Sequence, residues 1–198
     1  MPKMILEYKK AAISKIIETA LDIFSKNGYR GTTMDDIAKE MGVSKGALYS
    51  YFKSKDDILK EIFQSNHQIL REILSTPLDG QDYIQVMQKV IEKSYRLMTA
   101  KYLEFVHTSF EIFALASHDK EVRKLIREDH EKDVDVMSEF LQKLMKKGII
   151  RTDIDSRILA QILDALFTGI WADLIMGYDN AEVHETWIKS ITMILRPH

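Results

Sequence analysis

Between Gly42 and Leu59 the chain reads GVSKGALYSYFKSKDDIL, and its residue types are those that grip a polyanion. Lys45 and Lys55 are cations that neutralise phosphates. Tyr49 and Tyr51 offer phenolic hydroxyls to phosphate oxygens and rings to a sugar or a thymine methyl. Ser44 and the free amides of the helical turn it opens form an anion site. Gly46 lies inside that turn, where a missing Cβ lets the backbone approach a base edge or phosphate. Because a glycine inside a helix costs about 0.5 to 1 kcal/mol relative to alanine, something outside the helix has to compensate it. Four of the eight glycines, Gly28, Gly31, Gly42 and Gly46, fall in this neighbourhood. Any one of these residues fits a packed corner with solvated lysines equally well. Their order inside a helix-turn-helix spacing points instead to DNA.

The elements that would hold them are punctuated clearly. Ile13, Ile16, Ile17, Ala20, Leu21 and Phe24 recur at helical spacing, and Asn27-Gly28 supplies a stop. Thr33 stands three residues before Asp36, a capping-box start for a short helix carrying Ile37, Ala38 and Met41 and ended by Gly42. Ser44 caps a second short helix expected to run through Tyr51. Ser54, with Asp57 three residues on, starts a third that reaches about Leu74, before Thr76-Pro77. Two short helices across Met41-Gly42-Val43 have the spacing of a helix-turn-helix, whose second helix enters the major groove.

Beyond Pro77 the pattern stays helical. Helices are expected from about Asp119 to Lys147, stopped by Gly148; from Asp155 to Met176, stopped by Gly177; and from Glu182 to Leu195. The fold class is all-α, about nine helices: a three-helix head, residues 1–53, on a larger helical body, residues 54–198. Residues 1–60 carry a net charge of +3 and the remainder −5, within an overall −2. A basic head on an acidic body suits a polyanion partner. With no cysteine there is neither a disulfide framework nor a thiolate zinc site. No apolar run reaches the roughly 18 residues of a membrane span and no signal peptide opens the chain, so a cytoplasmic protein is expected.

The run NGYRGTTMDDIAKEMGVSKGALYSYFKSKDDIL, Asn27 to Leu59, closely resembles the DNA-binding head of TetR-type transcriptional regulators. The match is gapless over more than thirty residues: Gly28-Tyr29, Thr32-Thr33, Ile37-Ala38, Gly42-Val43-Ser44-Lys45-Gly46, Tyr49, Phe52 and Lys55 followed by Asp56-Asp57-Ile58-Leu59. The resemblance implies DNA contacts at Thr33, Ser44, Lys45, Gly46, Tyr49, Tyr51 and Lys55, with Leu48 and Phe52 facing the head's core. Ala47 and Ser50 point to the groove. Histidine is common in the family where this chain has Tyr51. The implied function is a ligand-responsive regulator, a repressor that binds a palindromic double-stranded operator as a homodimer and is released by a small, largely apolar effector.

In the body, apolar pairs recur every four residues from Ile158-Leu159 to Leu174-Ile175. Such a repeat precesses by about 40° per step, so the helix is buried on more than one side. It is either the central helix of a monomer or, as the resemblance implies, half of a twofold four-helix interface with the last helix, through Ile162, Leu166, Gly169, Ile170, Trp187, Ile191 and Ile194. Tyr95, Met98, Phe105, Phe110, Phe113, Met137, Phe140 and Trp171 are the candidate effector lining, since aromatic and methionine side chains give adaptable apolar contact, although such stripes are more often core. Asp129, His130 and Asp133 interrupt the apolar stripe of the long helix. They read as a solvated overhang in preference to a polar corner of the pocket. No nucleophile elbow, Walker loop or HExxH is present, and Glu104 with His107 is a lone Glu-x-x-His lacking the second pair a di-metal site needs. No enzyme, cofactor or metal is expected. The alternative is an all-α small-molecule or metal-binding bundle whose head is structural.

Overall fold

The computed structural model describes residues 3–75, 85, 89–93 and 103–197. Its helices are α1 (Lys3–Asn27), α2 (Met34–Glu40), α3 (Lys45–Tyr49), α4 (Lys55–Leu74), α5 (Leu103–Ala116), α6 (Lys120–Lys146), α7 (Ser156–Ile175) and α8 (Asn180–Leu195). Residues 89–93 are helical as well, and no strand occurs among the described residues.

Local chemistry sets the boundaries. Thr33 and Asp36 form the expected capping box of α2, each side chain bonded to the other's backbone amide. At its far end Gly42, at φ 67°, lets the chain turn back. The Gly42 amide donates to Lys39 and the Val43 amide to Ala38, a Schellman closure that satisfies two otherwise orphaned carbonyls. Ser44 Oγ then accepts from the Ala47 amide to open α3, which ends at Tyr49, earlier than expected, with Ser50 as its cap. Ser54 Oγ accepts from Asp57 at the start of α4. Asp119 caps α6, and Asp179 caps α8, which begins at Asn180, two residues before Glu182, the expected start.

By packing, the chain divides into two compact units. One comprises Met1–Asn66 and Leu103–Ile126, the other His67–Tyr102 and Arg127–His198. In the first, α1 packs on α2 and α5, and α2 on α3. Ile16, Phe24, Ile37, Leu48, Ile58, Leu59 and Ile62 are among its fully buried large side chains. In the second, Leu141, Leu144, Ile150 and Leu159 centre a core to which α8 contributes Val183, Trp187, Ile191 and Leu195. Helix α7 is long and apolar enough, by length and composition alone, to cross a membrane, a property the sequence reading did not register. Its inner face, Leu159, Ala160, Leu163 and Ile170, is buried in the second unit.

Candidate functional site

Helix α2 packs on α1 and α3 on α2, with Leu48 1% exposed and Phe52 6% exposed. That packing leaves the other face of α3 outward. Lys45, Gly46, Ala47, Tyr49 and Ser50 are all exposed, and Tyr51, just past the helix, is half-buried. An added Cβ at Gly46 would meet nothing within 4 Å, and its φ is not positive. The free chain therefore gives no steric or conformational reason for glycine there.

The cations on this face differ in availability. Lys45 pairs with Asp35 of α2, an exposed contact that raises its pKa through the carboxylate's hydrogen bond. Solvent screens an exposed pair of this kind, so a phosphate can replace Asp35 at small cost. Thr33 and Ser44 use their hydroxyls as caps, and Ser50 donates to the Ala47 carbonyl at 2.6 Å.

Lys55 is where the expectation of a DNA contact gives way to another role. Its ammonium donates to the carbonyls of Tyr29 at 2.7 Å, Thr32 at 3.0 Å and Arg30 at 3.5 Å, and it sits 4.6 Å from the Tyr29 ring centroid. Three acceptors consume its three protons. Partial burial pushes its pKa down. Beside it, the buried Tyr29 hydroxyl donates to Asp56; burial first, then that carboxylate, push the phenol up, so it remains a donor.

The same loop is held from a second side by a residue the sequence reading did not single out. Glu111 of α5 accepts from the amides of Tyr29 at 2.7 Å and Arg30 at 2.9 Å. A Cβ at Gly28, whose φ is +75°, would lie 2.8 Å from Glu111 Oε2. With the bonded partners 82 positions apart in sequence, no local pattern announces this contact.

The expected effector lining is distributed over both units. Tyr95 and Met98 lie outside the described residues, as does the side chain of Phe105. Phe110 and Phe113 meet edge to face, centroids 6.2 Å apart, in the first unit, and Phe113 is 46% exposed. Phe140 is buried core of the second unit, with Met137 and Trp171 packed against that core.

The acidic interruption of α6 is not a solvated overhang. His67 of α4, only 12% exposed, has Nδ1 2.6 Å from Asp133 Oδ1 and Nε2 2.6 Å from Asp129 Oδ1, and His130 Nδ1 lies 3.1 Å from Asp164 of α7. The Nδ1 contact has hydrogen-bond geometry; the Nε2 contact is close but poorly aimed. Burial, reinforced by Asp133, raises the Asp129 pKa to about 6 against the opposing pull of His67. Burial likewise raises Asp133 and Asp164. Helical pitch turns these carboxylates toward partners on α4 and α7, which a one-helix reading does not reveal. Among the described residues no group is arranged to hold a metal ion.

Of the expected interface residues, Ile170, Trp187 and Ile191 are buried within the protomer itself and are core. Ile162 and Gly169 are exposed, and Leu166 and Ile194 are half-buried. The outward stripe of α7 is Ile158, Ile162, Ala165 and Gly169, spaced four, three and four residues apart, the seam spacing of paired helices. Ile158 is 51% exposed, and α8 adds Ile188 and Met193.

A family model described as "Bacterial regulatory proteins, tetR family" matches residues 16–62, the segment that builds this head. Over these residues the chain matches the TetR family. It is therefore a DNA-binding transcriptional regulator, and the similarity extends past the TetR head. The probable acrEF/envCD operon repressor of Escherichia coli strain K12 is 25% identical, with 92% of this chain and 86% of that protein covered. Two solved structures share the fold. Salmonella enterica GusR superposes with a TM-score of 0.75 at 21% identity, covering 92% of this chain and 94% of that one. FadR from Bacillus subtilis, in complex with stearoyl-CoA, gives 0.73 at 22%, covering 89% and 95%.

Proposed function

We propose that this TetR-family protein is a cytoplasmic repressor. Two copies pair through the outward faces of α7 and α8, and each offers α3 to a major groove of a palindromic operator. A small, largely apolar effector bound in the body, residues 54–198, favours a spacing of the two heads, residues 1–53, that the operator does not accept. Coupling of this kind needs only that DNA and effector prefer different spacings by a few kcal/mol. The reading assigns no catalytic step.

The observation that carries it is the outer face of α3. Lys45, Gly46, Ala47, Tyr49 and Ser50 have no protein packed over them, and Gly46 weakens the helix for no purpose internal to the chain. A groove-contacting helix has both properties. The apolar stripe of α7, exposed in one protomer, supports the twofold pairing, and a dimer reads two half-sites where one short helix reads few bases. The bound ligand of FadR supports an effector for this chain too.

The test is a gel shift with the duplex upstream of the protein's own gene. Wild type is expected to shift it, and Lys45→Ala with Tyr49→Ala is expected to abolish the shift while leaving the fold and dimer mass unchanged. A double variant that shifts the duplex like wild type defeats the assignment of α3.

A further inference from the structure

The loop from Gly28 to Thr32 joins α1 to α2 and ends at Thr33, the cap from which the reading helices start. It is gripped at both ends of its peptide dipoles. The Lys55 ammonium takes the carbonyls of Tyr29, Arg30 and Thr32, and the Glu111 carboxylate takes the amides of Tyr29 and Arg30. Charge-assisted bonds are the stronger class, and a carboxylate with one amide on each oxygen fixes direction as well as distance. Gly28 completes the fit, because any side chain there would press on Glu111 Oε2. Tyr29 adds its ring, packed edge to face on Phe24 with centroids 5.0 Å apart, and its hydroxyl on Asp56.

Glu111 differs from the rest of this clamp in its origin. Lys55 and Asp56 come from the adjoining start of α4, whereas Glu111 comes from α5, between Phe110 and Phe113 in a segment far along the chain. Helix α5 packs against α1, so any displacement of α5 pulls directly on the loop that orients α2 and α3.

We propose that Glu111 is a positioning residue for operator recognition, the point through which α5 sets the orientation of the reading helices. It touches no DNA. This inference rests on the DNA-binding reading above.

Simple electrostatics and positioning predict opposite signs here. Deleting a negative charge from a DNA-binding protein removes repulsion from phosphates and should strengthen binding to any duplex. Losing the clamp should weaken binding to the operator alone, because sequence-specific contacts need register whereas non-specific contacts need only charge.

The experiment compares wild type, Glu111→Ala and Glu111→Gln by fluorescence anisotropy. The probes are an operator duplex, chosen by selection with wild type from a random pool, and a scrambled duplex of equal length. Hydrogen exchange at the Tyr29 and Arg30 amides is followed in parallel. Glu111→Ala is expected to lose at least tenfold in operator affinity, to bind the scrambled duplex as tightly as wild type or more tightly, and to exchange those amides faster. Glu111→Gln, keeping one acceptor oxygen, should fall between and serves if the alanine variant folds poorly. Equal operator affinities across folded variants overturn the proposal, as does a parallel loss on both duplexes. Failure of wild type to select any duplex overturns the DNA-binding reading itself, and this proposal with it.

Discussion

Replacing Gly46 with alanine separates folding from function. In the free protein an added Cβ at this position has no neighbour within 4 Å, and the backbone is not in the left-handed region. The substitution therefore removes glycine's helix penalty with no steric charge against it. Because Gly46 stands in the first turn, the gain belongs at the low end of the range, about 0.5 kcal/mol per protomer. For a chain of this size that raises Tm by about 1 to 2 °C. On the operator the same methyl group stands where a groove wall must approach. Displacing one reading helix is expected to cost about 1 to 3 kcal/mol, the scale of a lost base contact. A palindrome counts that cost twice, so operator affinity should fall by about 30-fold or more. Net charge is unchanged, so binding to non-specific duplex should stay put. Calorimetry and anisotropy at one fixed salt concentration read the two effects on the same preparation. A Gly46→Ala protein that is slightly more stable and binds the operator as wild type does would refute the claim that α3 lies against DNA at this residue. A less stable protein would refute the structural premise.

Ile162→Glu puts a carboxylate on the exposed stripe of α7, where a twofold axis would bring it near its own copy. Like charges juxtaposed at an interface cost several kcal/mol, so the dimer constant should weaken by at least about 100-fold, with a monomer mass by light scattering at micromolar concentration. Persistence of the dimer would remove α7 from the interface. A separate expectation concerns pH. Burial raises the Asp129 pKa to about 6, from 3.8 for a free aspartate, so between those values the native state holds more protons than the unfolded chain. Its contribution to stability is complete below pH 4 and is lost as pH rises through 6. With His67 offsetting part of the burial, wild type should lose about 1 to 3 kcal/mol relative to Asp129→Asn between pH 4 and 7, read from urea unfolding at each pH. Identical pH dependence in the two proteins would contradict the burial of that carboxylate.

What was legible in the sequence was local. Thr33 with Asp36, Gly28 and Gly42 announce caps and stops because the groups they satisfy lie within a few residues, and those signals bracketed α2 and α4 closely and marked the end of α1. The outer face of α3 was legible for the same reason: Leu48 and Phe52 turn inward and leave Lys45, Gly46 and Tyr49 outside. Helix α7 was harder. Its four-residue apolar repeat marks two faces without saying which one a partner covers, and Ile170, with Trp187 and Ile191 on α8, was assigned to the wrong one. The carboxylates of α6 read as solvated because His67 and Asp164, which meet them, come from α4 and α7. Lys55 was assigned to DNA from its charge, while its three carbonyl acceptors belong to a loop more than twenty residues away. Glu111 carried no signal at all, because a single glutamate in an apolar helix has no pattern until the loop it grips is folded against it.

Selection of a duplex from a random pool, followed by footprinting and a measurement of protomers per duplex, tests the central claim most directly. The account predicts an enriched palindrome, two protomers bound, protection of two major-groove half-sites, and affinity that falls steeply with salt through counterion release. An unenriched pool, or one protomer on a site without symmetry, would contradict it.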